Sequence, residues 1–117
     1  MPTPKPEKDS LLQGTLDLLI LRTLVSGPQH GQGIARTIQH QSDEVFFVDH
    51  GSLYLALQRL EEKQWISARW GTSEKNRKAR FYTLTAQGRE QLVRKSSQWR
   101  RMADAMARIL WPEEAGA

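Results

Sequence analysis

Cysteine is absent from the chain, which excludes disulfides and thiolate metal sites. No apolar run is long enough to span a membrane. The opening stretch, Met1 to Asp9, holds three prolines and no apolar h-region, so it is not a secretory signal. Residues 1–10 are expected to form a disordered leader, and a cytoplasmic protein is the default. Hydrophobic residues are also scarce, at 38% of 117. That is enough for one small domain and hardly two, and it points to a partner chain that completes the core. Acidic residues are in deficit, 13 against 17 Lys and Arg, for a net charge of +4. The balance permits an anionic partner without proving one.

What is present begins with helical periodicity. Ser10 and Gln13 have the spacing of a capping box, with Thr15 as a competing start. Leu16 to Val25 is apolar nearly all round, so this first helix is expected to be buried on most faces. Gly27-Pro28 stops it. Such complete burial is a first hint of a dimer interface through Leu16, Leu19 and Ile20. A second helix is expected over His30 to Gln41, with Ile34 and Ile38 as its stripe and Ala35 beside it. Gly31 and Gly33 are poor helix residues and call for close packing or a turn. His30 has no second ligand type at metal spacing, which favours a capping or turn role. Val45 to Val48 is an apolar connection expected to tuck under the core.

The chain is organised around the stretch from Asp49 to Trp65. Leu53, Leu57 and Leu60 form one stripe of a short amphipathic helix. Ser52 is placed to cap its first turn. At about 100° per residue, Leu55, Gln58, Arg59 and Glu62 point away from the stripe, with Tyr54 on the flank. Such a helix fits a DNA major groove. Ser52 would offer the helix N-terminus to a phosphate. Tyr54 would reach a phosphate or sugar, Leu55 a thymine methyl, Gln58 an adenine and Arg59 a guanine. The bland alternative for Arg59 is a surface pair with Glu61 or Glu62.

The period then changes. Trp65 to Trp70 and Ala79 to Leu84 are strand-like, joined by a polar turn from Gly71 to Lys78. Arg69, Lys75, Arg77, Lys78 and Arg80 stand against one anion, Glu74, so this hairpin alone carries as much net charge as the whole chain. A charge run is usually a solvated loop. Directly after a candidate recognition helix, it favours DNA contact through Thr72, Lys75, Arg77, Lys78 and Arg80. Thr85 is a candidate N-cap for the last helix. There Leu92, Ser96, Trp99, Ala103, Met106 and Leu110 are spaced 4, 3, 4, 3, 4, a heptad seam that Pro112 ends. About 25 residues make a helix of roughly 37 Å, more than so small a core covers. Its expected partner is the same helix of a second copy.

Three helices, a basic hairpin and a long terminal helix make a mainly α chain with a small β-hairpin: a winged helix-turn-helix with a C-terminal dimerisation helix. The expected divisions are 11–84 for the DNA-binding domain, 85–111 for the dimerisation helix and 112–117 for a tail. The order resembles the PadR family of bacterial transcriptional regulators, and so do the words. Gly14 to Leu21 resembles the family's first helix. His30 to Ile34 is similar to its His-Gly-Tyr-Gly-Ile, and Gly51 to Leu57 to its Gly-Ser-Leu-Tyr-Pro-Ala-Leu. Lys78 to Thr85, followed by Gly88, resembles its second wing strand and helix start. Gln32 stands where Tyr is usual, and Leu55 where Pro is usual.

The resemblance implies the short form of the family. It implies a homodimeric DNA-binding regulator, usually a repressor, released from an inverted-repeat operator by a small molecule. Family effectors include phenolic acids and planar drugs. Trp99 near the dimer axis would suit a small aromatic effector, although a closed, well-packed seam serves it equally well. No cofactor is implied. Asp49, His50 and Ser52 are the right types for nucleophilic catalysis, yet they lack the strand-turn-helix setting of a nucleophile elbow, so no enzyme is expected. A winged module for protein contacts alone is the remaining alternative. The lysine-rich hairpin disfavours it, because protein interfaces are depleted in lysine.

Overall fold

The computed structural model describes residues 8–115 of the chain, and the side chains of 14–114. Residues 1–7 of the expected leader and residues 116–117 of the expected tail lie outside it. The order is α1 (Lys8–Thr23), a 3-10 turn (Leu24–Ser26), β1 (Gln29–His30), α2 (Gly31–Gln41), α3 (His50–Glu62), β2 (Ile66–Thr72), β3 (Lys78–Leu84), α4 (Ala86–Leu110) and α5 (Pro112–Ala115). The structure is a winged helix fold with a small antiparallel sheet and a long C-terminal helix. Among the described residues, no helix is long and apolar enough to cross a membrane.

Helix α1 begins at Lys8. Ser10 and Thr15 therefore lie inside it rather than at its start, and the side chains of Ser10 and Gln13 lie outside the described residues. The described leucines and isoleucine of α1, with Leu24 and Val25 of the 3-10 turn, turn inward within this one chain: Leu16, Ile20, Leu21 and Leu24 are buried, and Leu18, Leu19 and Val25 pack against the same core. The facing residues are Ile34 and Ile38 of α2, Leu53, Ala56, Leu57 and Leu60 of α3, and Ile66, Tyr82 and Leu84 of the sheet. The expected stripe Leu53, Leu57, Leu60 is thus the buried face of α3, with exposures of 1%, 1% and 0%.

Two helix starts show how the chain enters its helices. The imidazole of His30 accepts the Gly33 N–H on Nδ1 at 3.1 Å, so His30 is the N-cap of α2. For α3 the cap is Asp49, whose Oδ1 accepts the Ser52 N–H at 2.9 Å. Ser52 is therefore the capped residue, three positions inside the cap, and not the cap itself. That bond stabilises the ionised form and holds the Asp49 carboxyl below the usual carboxylate range. The connection before α3 divides its apolar residues. Phe46 and Val48 pack against the core, whereas Val45 and Phe47 are exposed, because successive extended residues face opposite sides.

The sheet order is β1-β3-β2, antiparallel throughout. In the hairpin, Ala68 lies opposite Tyr82, Trp70 opposite Arg80 and Thr72 opposite Lys78. Strand β1, only two residues long, pairs Gln29 with Tyr82 and His30 with Phe81. The turn between β2 and β3 closes with Ser73 N–H donating to the Arg77 carbonyl at 2.8 Å and Asn76 in the left-handed region. Thr85 then caps α4, accepting the Gly88 N–H at 3.0 Å while its hydroxyl reaches the carbonyls of Gln64 and Trp65. The helix start comes so close to the Trp65 carbonyl that a Cβ at Gly88 would collide with it.

Helix α4 leaves the core almost at once. Leu92 is buried, but Trp99, Met102, Met106, Ile109 and Leu110 are all about half exposed or more. Of the residues expected at a dimer interface, Leu16, Ile20 and Leu92 are corrected: each is buried in the chain's own core, at 3%, 0% and 7% exposure. Leu19, Trp99 and Ala103 instead line an open groove between α1 and α4, together with Leu18, Arg22 and Ser96. Met106 and Leu110 lie farther along the exposed part of α4.

Candidate nucleic-acid interface

The exposed face of α3 follows from the burial of the other. With Leu53, Ala56, Leu57 and Leu60 inside, Tyr54, Leu55 and Gln58 are left outside, and Ser52 is half-buried at the helix start. Tyr54 is steered by packing. Its hydroxyl lies so near Gly31 that a Cβ there would stand 2.9 Å from the oxygen. A side chain at Gly31 would have to displace the Tyr54 hydroxyl, so the glycine gives the close packing that its place in a helix called for.

Arg59 does not share that face. Its Nη2 donates to Asp17 Oδ1 of α1 at 2.8 Å, with the carboxylate largely buried. In place of a surface pair with Glu61 or Glu62, the guanidinium is held by α1. The partner comes from an element 42 residues away. Glu61 is engaged elsewhere, accepting from Arg80 Nη2 at 2.7 Å. That bond ties β3 of the wing to the end of α3.

Between α2, α3 and the wing lies a cleft of about 610 Å³. Five of the expected DNA-contact residues line it together: Tyr54, Lys75, Arg77, Lys78 and Arg80. Thr72, Leu55 and Gln58 are exposed outside its lining. The hairpin cations are exposed as well, with the Lys78 ammonium over the Trp70 ring at 5.4 Å from its centroid. So Tyr54 of the exposed α3 face and the cations of the basic hairpin are neighbours across one cleft.

The cleft also holds residues that the sequence reading had not placed at the site: His30, Gln32, Arg36, Trp70 and Glu74. Gln32 and Arg36 come from α2. They could have been found from the helical repeat alone, since Gln32 and Arg36 are four apart and opposite Ile34 and Ile38. Glu74 reaches back from the wing tip, its two oxygens 3.7 Å from His30 Nε2 and 3.9 Å from Arg36 Nη1. Tyr82 closes the floor. Burial pushes its phenol above the ordinary value. Among the described residues no cluster of three or more His, Cys, Asp or Glu is placed to hold a metal.

This geometry agrees with what the chain is similar to. The pattern of the transcriptional regulator PadR-like family matches residues 20–94, well over half the chain. An uncharacterized protein X of Lysinibacillus sphaericus is 28% identical over 92 residues, covering 79% of this chain and 84% of that one. A transcriptional regulator from Clostridium thermocellum superposes with a TM-score of 0.76 at 25% identity, over 85% of this chain and 96% of its own. A PadR family transcription regulator from Clostridium difficile R20291 does so with a TM-score of 0.70 at 30% identity, over 83% and 99%. Both of these solved relatives are transcriptional regulators, and PadR-family regulators bind DNA. The chain belongs to the PadR-like family of transcriptional regulators.

Proposed function

We propose that the protein is a homodimeric repressor that reads a specific operator and is released from it by a small aromatic effector. It acts in the bacterial cytoplasm. The observation that carries the reading is the placement of the exposed face of α3 beside the cationic hairpin, across one cleft. The two parts have separate tasks. Lys75, Arg77, Lys78 and Arg80 supply affinity for any phosphate backbone. Gln58 and Leu55 read base edges, and Tyr54 and Ser52 fix the register through the backbone. With Arg59 committed to Asp17, Gln58 is the principal polar reader on this helix.

Dimerisation rests on α4, where Trp99, Met106 and Leu110 stay about half exposed among the described residues. Two such helices packed together would place two α3 helices on an inverted repeat, with half-site centres about one helical turn, or a multiple, apart. The groove between α1 and α4, with Trp99 on one wall and Leu18 and Leu19 on the other, is apolar enough for a flat aromatic molecule. A mobility shift with the DNA upstream of the protein's own gene, against random DNA of equal length, tests the reading. Retardation of the first at concentrations that leave the second free is expected. Equal weak binding would favour a winged module without operator specificity.

A further inference from the structure

We infer that the Glu74 carboxylate occupies, in the DNA-free protein, the seat of one DNA backbone phosphate, and that the phosphate displaces it on binding. This inference rests on the DNA-contact reading of the wing and names one of its subsites.

The seat is built around His30. The side chain is over nine-tenths buried, with 9% exposure, and its Nδ1 is committed to the Gly33 N–H. An acceptor Nδ1 leaves the proton on Nε2. That Nε2–H is buried, faces the cleft and has no hydrogen-bond partner among the described residues. Glu74 Oε2 stands 3.7 Å from it, beyond hydrogen-bond reach. The other oxygen of Glu74 stands equally loose, 3.9 Å from Arg36 Nη1. A planar carboxylate tethered to the wing tip thus lies between two donors and satisfies neither.

A phosphate group carries more oxygens, spread tetrahedrally, and accepts from an imidazole N–H and a guanidinium together. Its other oxygens would face Tyr54 Oη and the cations of the hairpin, which line the same cleft. The N-terminus of α2 adds its backbone dipole on that side. Glu74 is free to leave: its side chain is 65% exposed and it sits in the turn between β2 and β3. It is also the one anion among the five cations from Arg69 to Arg80. A carboxylate there opposes DNA unless it moves aside. Free inorganic phosphate shares the chemistry. The backbone of a duplex is the better fit, because the cleft opens between α3 and the wing.

The test measures binding of operator and random duplexes by fluorescence anisotropy, together with the ring-nitrogen resonance of His30. Glu74→Gln removes the competing charge and keeps the shape. It should tighten both duplexes about two- to fivefold, the span of an exposed ion pair. Glu113→Gln, the same charge change in α5, should leave them unchanged. Adding duplex to the wild-type protein should shift the His30 Nε2 signal, and inorganic phosphate at millimolar concentration should not. Weaker binding by Glu74→Gln would make Glu74 a strut for the wing and overturn the inference. A His30 shift with inorganic phosphate, and unchanged duplex affinity in Glu74→Gln, would overturn the assignment to the DNA backbone. A wild type that bound no duplex at low salt would overturn the DNA reading of the wing, and the inference with it.

Discussion

Arg59 of α3 and Asp17 of α1 are joined by a 2.8 Å hydrogen bond between opposite charges, the guanidinium one-third exposed and the carboxylate mostly buried. The bond ties α3 to α1 and, on the DNA reading proposed above, withdraws Arg59 from the duplex. Arg59→Ala should therefore cost stability, about 1 kcal/mol after allowance for the solvent that screens the pair. It should leave the base preference of the protein as it is. Urea denaturation and a panel of single-base operator variants check the two halves. A relaxed preference at one G·C position, with stability intact, would put Arg59 back in the groove.

Asp49 gives a pH-dependent counterpart. Its carboxyl is held below the usual range by the Ser52 N–H. A lowered folded-state value means that its stabilisation is complete above the unfolded-state value and is lost as pH falls through the folded one. Asp49→Ala should lower stability by about 1 kcal/mol at pH 7. The gap to wild type should close as pH falls below about 4. Equilibrium unfolding at pH 7 and about pH 3 reads it. A gap that stayed constant would show that the charge on Asp49 is idle.

The hairpin should act without regard to sequence. Arg77 is exposed on the wing and lines the cleft. Arg77→Ala should weaken operator and random DNA alike and flatten the salt slope by roughly 0.9. Titration from low to physiological salt is the measurement. Unchanged affinity for both DNAs would make this arginine a solvated surface residue.

The uncovered half of α4 predicts association. Met106, 51% exposed, and Trp99, 48% exposed, lie on the heptad seam. Either Met106→Lys or Trp99→Glu would place a charge where two helices exclude water. Light scattering at micromolar concentration should give twice 13.4 kDa for the wild type and a mass shifted toward 13.4 kDa for the variants. A wild-type monomer would contradict the seam and the two-fold operator together.

Local periodicity made much of this legible. Leu53, Leu57 and Leu60 repeat within one helix, and Thr85 and His30 are cap-type residues beside the helices they start. Partners distant in sequence left no such mark. Arg59 and Asp17 meet across 42 positions, and β1 exists only because Gln29 and His30 reach β3. The apolar girdle of α1 announced burial but not what covers it. Leu16 and Ile20 are covered by their own chain. Between two cap-type residues three apart, Asp49 and Ser52, only the backbone geometry chooses, and it chose Asp49. In the cleft, Glu74 read as one anion in a basic run. Its reach to His30 and Arg36 depends on how the wing folds back over α2.

The most direct test of the account is Gln58→Ala, measured on operator and on random DNA in the same salt. Gln58 is exposed one turn beyond Tyr54, on the face of α3 that the core leaves free. Loss of a base contact should cost about 1–3 kcal/mol on the operator and little on random DNA. Glu62→Ala, at the exposed end of the same helix, should change neither. If Gln58→Ala bound both DNAs as the wild type does, this face of α3 would not be the one that reads the operator.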